Sequence, residues 1–286
     1  MKNVKEFFDE ATSTLSYVVW DQETRDALVI DPVLGYDPAS SKINEQGAHQ
    51  IIDFIRSQNL NMHFSLETHA HADHLSGAQI IKREFPDVKI AIGKGIKKVQ
   101  EVFKELYNLS PEFKTDGSQF DRLLDEGDLL NAGSIKVKII ATPGHTPACL
   151  SYLIDDFLFS GDAIFMPDSG TGRCDFPAAS AEDLYKSIHD KIYNLPDQIK
   201  IFVGHDYQPQ KRPLRFISSV AEEKTGNIQL TAKTTRQEFV HFRNERDRTL
   251  SAPRLLWPAI QININAGHVP SSEGNGRSYL KIPIHV

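Results

Sequence analysis

Cysteine is nearly missing from this sequence. Cys149 and Cys174 are the only two in 286 residues, which excludes a disulfide-stapled scaffold and fits a reducing cytosol. A long apolar run is missing as well: nowhere do about 18 consecutive apolar residues occur, so a membrane span is not supported. Positive charge is in deficit, with a formal net charge of −6 and no block of Lys or Arg. The electrostatic footprint of a nucleic-acid binder is therefore absent, and polyanions are poor partners. The opening stretch MKNVKEFFDEATSTLSYVVW carries Asp9 and Glu10 and passes directly into a strand-like run. Neither a secretory signal nor a basic transit peptide is expected, and the mature chain should start near Met1. Internal repeats and low-complexity linkers are lacking too. What is present, 40% hydrophobic residues, suits the packed core of one large cytoplasmic domain or of a domain with a modest appendage.

Periodicity orders the elements. LSYVVW (15–20) and ALVID (27–31) predict a hairpin closed by Pro32, residues 48–58 a helix, MHFSLET a strand. A second helix is expected from about His74, then a strand over 88–93 and a helix over 94–107, with 108–134 mostly loop. SIKVKIIA, CLSYLI, FLFS and KIFV predict further strands. Ser180 with Asp183, and Thr235 with Glu238, carry capping-box spacing. The segment APRLLWPAIQININAG reads as Pro-broken.

Four of these strands end in a polar cluster: MHFSLE before THAHADH, KVKIIA before TPGHTP, FLFS before GD and KIFV before GHD. Strand-end loops are where rigid scaffolds display catalytic groups, so the four are expected at one edge of a sheet. Together they supply His69, His71, Asp73, His74, His145, Asp162 and His205, the imidazoles and carboxylates that a divalent transition metal requires. An isolated histidine is usually a surface or core residue, and His49, His63, His189, His241, His268 and His285 are read that way. Spacing alone leaves the number of metals open. Seven donors are compatible with a binuclear hydrolase in which Asp162 bridges two ions, His69, His71 and His145 on one and Asp73, His74 and His205 on the other.

HAHADH, PGHTPACLSY, FSGDAIF and FVGHDY, in that order, resemble the ligand motifs of the metallo-β-lactamase superfamily over about residues 10–210. The resemblance implies an α/β fold, an αββα sandwich with the metal site at one edge of two packed sheets. Residues 1–286 would form a single domain, with 211–286 a short helical and extended appendage packed on the core. GTGRCDF, GSQFD, RDRTLSAP, QININAG and YLKIP further resemble the persulfide dioxygenases of this superfamily, in the bacterial form without a fused rhodanese domain. No rhodanese-like cysteine loop occurs in the sequence. This resemblance implies one Fe(II) per chain on His69, His145 and Asp162, with His71, Asp73, His74 and His205 around it or at an unfilled second site. Glutathione persulfide and oxygen would be the substrates, and a homodimer the assembly. The alternative is a glyoxalase-II-like thioester hydrolase with zinc or a second metal, acting on S-lactoylglutathione.

Glutathione carries two carboxylates, so cationic or hydrogen-bonding groups are expected near the metal. Arg173 in the GTGRCDF loop is the first candidate, with Asp175 orienting it; Tyr207, Lys211, Arg212 and Arg215 follow. For the basic run a solvated face is the competing reading. Cys149 and Cys174 are expected to be buried thiols. A nuclease of the same superfamily would need a basic surface that the charge balance does not provide. A flavodiiron-type reductase would need a downstream flavodoxin-like domain, and a noncatalytic relative would be expected to have lost His145 or Asp162.

Overall fold

In the computed structural model, described for residues 1–284, two six-stranded sheets pack face to face. The first runs in the order Lys2–Asp9, Thr14–Asp21, Asp26–Ile30, Asn61–Leu66, Lys89–Gly93, Arg122–Leu124. The second runs Leu129–Ala132, Ile135–Ala141, Leu150–Ile154, Phe157–Phe159, Lys200–Phe202, Ile217–Ser219. Alternation along Thr14–Asp21 builds the layers. Leu15, Tyr17 and Val19 point into the core between the sheets with Ile139, Tyr152 and Phe159. Val18 points the other way, with Ala27 and Val29, onto Ile51, Ile52 and Ile55 of the helix Gln46–Ser57. On the far face of the second sheet Leu184, Ile188 and Ile192 reach the same core from the helix Ala181–Lys186 and the π-helical turn Ser187–Ile192. The result is the α/β sandwich that the strand pattern and the family resemblance imply. No helix among the described residues is long and apolar enough to cross a membrane.

Several expectations shift, each for a local reason. Lys2–Asp9 is an edge strand that the charged sequence KNVKEFFD hides; all of its residues are half-buried. The helix expected from His74 starts at Ala78, because Leu75 and Ser76 pair with Leu34 and Val33 in a small third sheet. The stretch expected as loop holds the short strands Arg122–Leu124 and Leu129–Ala132. Thr235 and Glu238 close a full capping box. At Ser180 only half forms: its side chain accepts from Asp183 N, and no reciprocal bond is made. The Pro-broken segment contains the helix Leu256–Asn263, with Pro258 in the first turn, where a backbone N–H has no intrahelical partner to lose.

Candidate metal centre

Parallel pairing sets the donors side by side. Asp26–Ile30 and Asn61–Leu66 run parallel with Ile30 opposite Leu66, so Asp31 and the loop from Glu67 to His74 leave the first sheet at one edge. Phe157–Phe159 and Lys200–Phe202 run parallel with Phe159 opposite Phe202, so Asp162 and His205 leave the second sheet together. His145 lies in the turn between the antiparallel strands Ile135–Ala141 and Leu150–Ile154. Close backbone approach is built in: Gly161 has φ +50°, and a Cβ on Gly172 would stand 2.0 Å from the carbonyl oxygen of Asp162.

All seven predicted donor residues meet at this edge. His145 Nε2 lies 3.6 Å and His69 Nε2 4.0 Å from Asp162 Oδ2. His205 Nε2 lies 3.3 Å from the other oxygen, Asp162 Oδ1, and 3.4 Å from Asp73 Oδ2. Asp162 therefore turns one oxygen to each half of the cluster. His69, His145 and Asp162 offer donor atoms within 4.8 Å of one another, and so do His71, Asp73 and His74. The rings of His69 and His71 are 4.0 Å apart at their centroids, those of His71 and His74 4.1 Å.

The free nitrogens are chosen by what holds the opposite ring atom. His145 Nδ1 donates to the carbonyl of Arg173 at 2.7 Å, and His74 Nδ1 to that of Leu75 at 2.9 Å. His205 Nδ1 lies 3.2 Å from the carbonyl of Ser13. His71 is held through Nε2, by Asp31 at 3.0 Å and Glu67 at 3.4 Å, which leaves Nδ1 inward. His69 Nε2, His71 Nδ1, His74 Nε2 and Asp162 Oδ1 are buried with no hydrogen-bond partner. Four such atoms aimed at one volume would be costly unless a cation satisfied them. The donor chemistry thus fits a transition metal, with His71, His74, His145 and His205 backed by a carboxylate or carbonyl and His69 Nδ1 lying 3.0 Å from the Thr68 hydroxyl.

Electrostatics favours the neutral imidazole at His69 and His74 and the charged one at His71 and His205. Burial, reinforced by the neighbouring imidazoles, holds His69 well below the ordinary histidine value and pushes His74 down to about 4. Burial alone would lower His71 too, but Asp31 and Glu67 outweigh it and hold its pKa well above that value. Asp73, despite burial, is drawn down to about 2 by His205 and His74.

Asp31, Glu67 and Asn263 escaped the sequence reading. Asp31 ends ALVID with the same strand-end polarity that marked the other loops. Asn263 lies in the QININAG stretch that carries part of the family resemblance, but nothing local ties it to the donors: its Nδ2 donates to the carbonyls of His71 and His74, both at 2.8 Å, and its Oδ1 accepts from Ser76 N at 2.8 Å. One buried amide thus braces the donor loop from the helix Leu256–Asn263.

Over the donors lies a cavity of about 540 Å³, with Asp73, His145, Asp162 and His205 on its floor and Phe165, Tyr207, Leu250 and Pro253 among its walls. His145 and Asp162, 6% and 7% exposed, reach the cavity from one half of the cluster, and Asp73, half-buried, reaches it from the other. Tyr207 stacks on His205 with planes 7° apart. Arg173 lines the cavity, but its guanidinium grips Asp175 and donates to the carbonyl of Ser251 at 2.9 Å. Lys211, Arg212 and Arg215 do not line it. Arg212 is committed to Asp168 and to Asp206, at 2.7 Å from the latter, and Asp206 also accepts from Arg215 N. The structure thus places these three outside the cavity lining. Cys149 is buried and Cys174 half-buried, both unbridged; burial pushes the Cys149 thiol up to about 12. His285 lies outside the described residues.

A two-sheet sandwich that gathers imidazoles and carboxylates from strand ends of both sheets defines a metal-dependent enzyme. The chain belongs to the metallo-beta-lactamase superfamily, whose family model matches residues 10–205. Glyoxylase B2 of Dictyostelium discoideum is 46% identical over 282 residues, covering 98% of this chain and 96% of its own. The mitochondrial persulfide dioxygenase ETHE1 of Homo sapiens is 29% identical over 266 residues, covering 92% and 88%. Among solved structures, ETHE1 from Myxococcus xanthus matches with a TM-score of 0.74 and 28% identity, over 93% of this chain and 100% of that one.

Proposed function

We propose that the protein is a persulfide dioxygenase that converts glutathione persulfide, oxygen and water to glutathione, sulfite and two protons. The observation that carries this reading is the group His69, His145 and Asp162, two imidazoles and one carboxylate with donor atoms within 4.8 Å, of which His145 and Asp162 line the cavity. That set suits a single ferrous ion, which when bound supplies the redox chemistry with oxygen that zinc lacks. Similarity to human persulfide dioxygenase across 92% of the chain supports it.

The chain's own residues orient and shield. The Arg173 carbonyl fixes His145 so that Nε2 faces inward, and Asp31 holds Thr68 through its hydroxyl and its N–H, both at 2.7 Å, beside His69. Phe165, Tyr207, Leu250 and Pro253 wall the cavity and restrict water around a bound sulfur anion, while the neutral His69 and His74 do not compete for protons. Holding the persulfide and oxygen in one small volume makes their encounter effectively intramolecular.

A second reading, binuclear hydrolysis of a thioester such as S-lactoylglutathione, is favoured by one specific observation. His71, Asp73 and His74 form a second donor group, with inward-facing atoms on His71 and His74 also unpaired. The 46% identical relative named Glyoxylase B2 points the same way. Oxygen uptake separates the two. Protein loaded anaerobically with iron should consume oxygen rapidly on addition of glutathione persulfide and accumulate sulfite, while zinc-loaded protein should not. No uptake at confirmed iron occupancy, together with hydrolysis of S-lactoylglutathione, would overturn the dioxygenase in favour of the hydrolase.

A further inference from the structure

The cavity is lined by four arginines, Arg173, Arg243, Arg246 and Arg254, and two are already used. Arg173 is tied to Asp175 and Ser251. Arg243, fully buried, binds Asp247 at 2.7 Å, Gln229 Oε1 at 2.9 Å and the Thr171 carbonyl at 3.3 Å. Arg246 and Arg254 are exposed at the rim, and among the described residues neither guanidinium makes a hydrogen bond or an ion pair. Among the described residues, the only carboxylates lining the cavity are Asp73 and Asp162, both in the donor cluster on the floor. The rim therefore carries two guanidinium charges with no carboxylate beside them in the wall among the described residues; Asp37, outside the wall, feels the charge of Arg254 but makes no ion pair with it.

Between these two arginines in the chain stand Leu250 and Pro253, and Leu255 follows directly after them; all three line the same cavity. Arg246 also lines the adjoining cleft of about 520 Å³, together with Tyr207, Pro209, Ile228 and Phe242. The cavity so offers an apolar wall leading from the donors to two planar, permanently charged forks, the geometry that pairs with carboxylates.

We propose that Arg246 and Arg254 form a carboxylate-recognition rim that selects thiol carriers bearing two carboxylates; this deepens, and rests on, the reading of the cavity as a thiol-carrier site. The sulfur end lies at the floor and the carrier's carboxylates at the rim. Esterified carriers and small thiols without carboxylates are discriminated against in binding, whichever reaction occurs on the floor.

Equilibrium titration of the metal-loaded protein with S-methylglutathione, an unreactive probe, tests this apart from catalysis. Arg246→Ala and Arg254→Ala should each weaken Kd by about tenfold, the double variant further, and Arg246→Lys by less than Arg246→Ala. The diethyl ester of the probe should bind the wild type no more tightly than the free acid binds the double variant. Both residues are exposed, so thermal midpoints should stay within those of the wild type. Lys211→Ala, outside the cavity, should leave Kd unchanged. Alanine variants that bind the acid like the wild type, or an ester that binds the wild type as well as the acid does, would overturn the rim assignment alone. A wild-type protein that does not bind S-methylglutathione at all would overturn the thiol-carrier reading beneath it.

Discussion

The floor and the rim of the cavity are built in opposite ways. The floor is made by residues 67–205, from strand ends whose register is fixed by parallel pairing in two sheets; its histidines are buried and each has its second nitrogen or a neighbour held. The rim is made by residues 243–255, on the helix Arg236–Asp247 and the loop after it; Arg246 and Arg254 are exposed there, and among the described residues neither guanidinium makes a hydrogen bond or ion pair, Arg254 feeling only the charge of Asp37. Precision is concentrated where atoms must meet a metal, and freedom where a flexible molecule must be received. The family match ends at residue 205, so this chain's superfamily core supplies the floor while the segment beyond it supplies both the rim and the brace through Asn263.

The contrast can be broken from the floor upward. The largest effect is expected at Asp162, which faces both halves of the donor cluster. Asp162→Ala should lower bound metal to the level of a blank and activity to background, read by elemental analysis and turnover; wild-type metal content in this variant would remove Asp162 from the centre. Next comes the joint between the two regions. Asp247 pairs with buried Arg243 and accepts from Cys174 N at 2.7 Å. Asp247→Ala strands a buried guanidinium and should cost about 3–5 kcal/mol in equilibrium denaturation. Arg246→Ala, one residue earlier in the sequence, should change stability by less than about 0.5 kcal/mol. Equal effects at 246 and 247 would erase the distinction between brace and rim.

An effect smaller than that of Asp247→Ala lies away from the cavity. Burial pushes the Glu223 carboxyl up to about 7 against the hydroxyl of Ser218 and the amide of Asn227, which favour its ionised form. Because its folded pKa exceeds the unfolded value, the native state binds the extra proton. The stabilisation is complete below the unfolded pKa and is lost as pH rises through about 7. Between about pH 5 and 8 the wild type should therefore lose on the order of 2–3 kcal/mol relative to Glu223→Gln, measured by denaturation at each pH. A constant difference between the two proteins across that range would rule out this linkage.

The sequence was most readable where local pattern and chemistry coincide. The hairpin of Thr14–Asp21 and Asp26–Ile30 follows from β-branched runs around a polar turn, and the gathering of HAHADH, His145, Asp162 and His205 at one edge follows from polar residues placed just past strand ends. Lys2–Asp9 was hidden because an edge strand needs no apolar face. Leu75–Ser76 were mistaken for helix because a two-residue pairing is decided by a partner some 40 positions away, and local propensity carries no record of it. Asn263 was illegible for the same reason: its three hydrogen bonds reach back 187 to 192 residues. At Arg212 the sequence shows a charge without its counter-charges, which the fold supplies as Asp168 and Asp206.

Position 173 takes part in the site twice. Its side chain reaches the rim side, to Asp175 and Ser251, while its carbonyl sets the ring of His145. Any amino acid brings a carbonyl. The two roles can therefore be inherited separately: a homologue could exchange the arginine, and with it the wall presented to a substrate, while the histidine below keeps the same orientation. A catalytic floor insulated in this way from changes in its walls can be handed from one substrate to another in steps of a single codon.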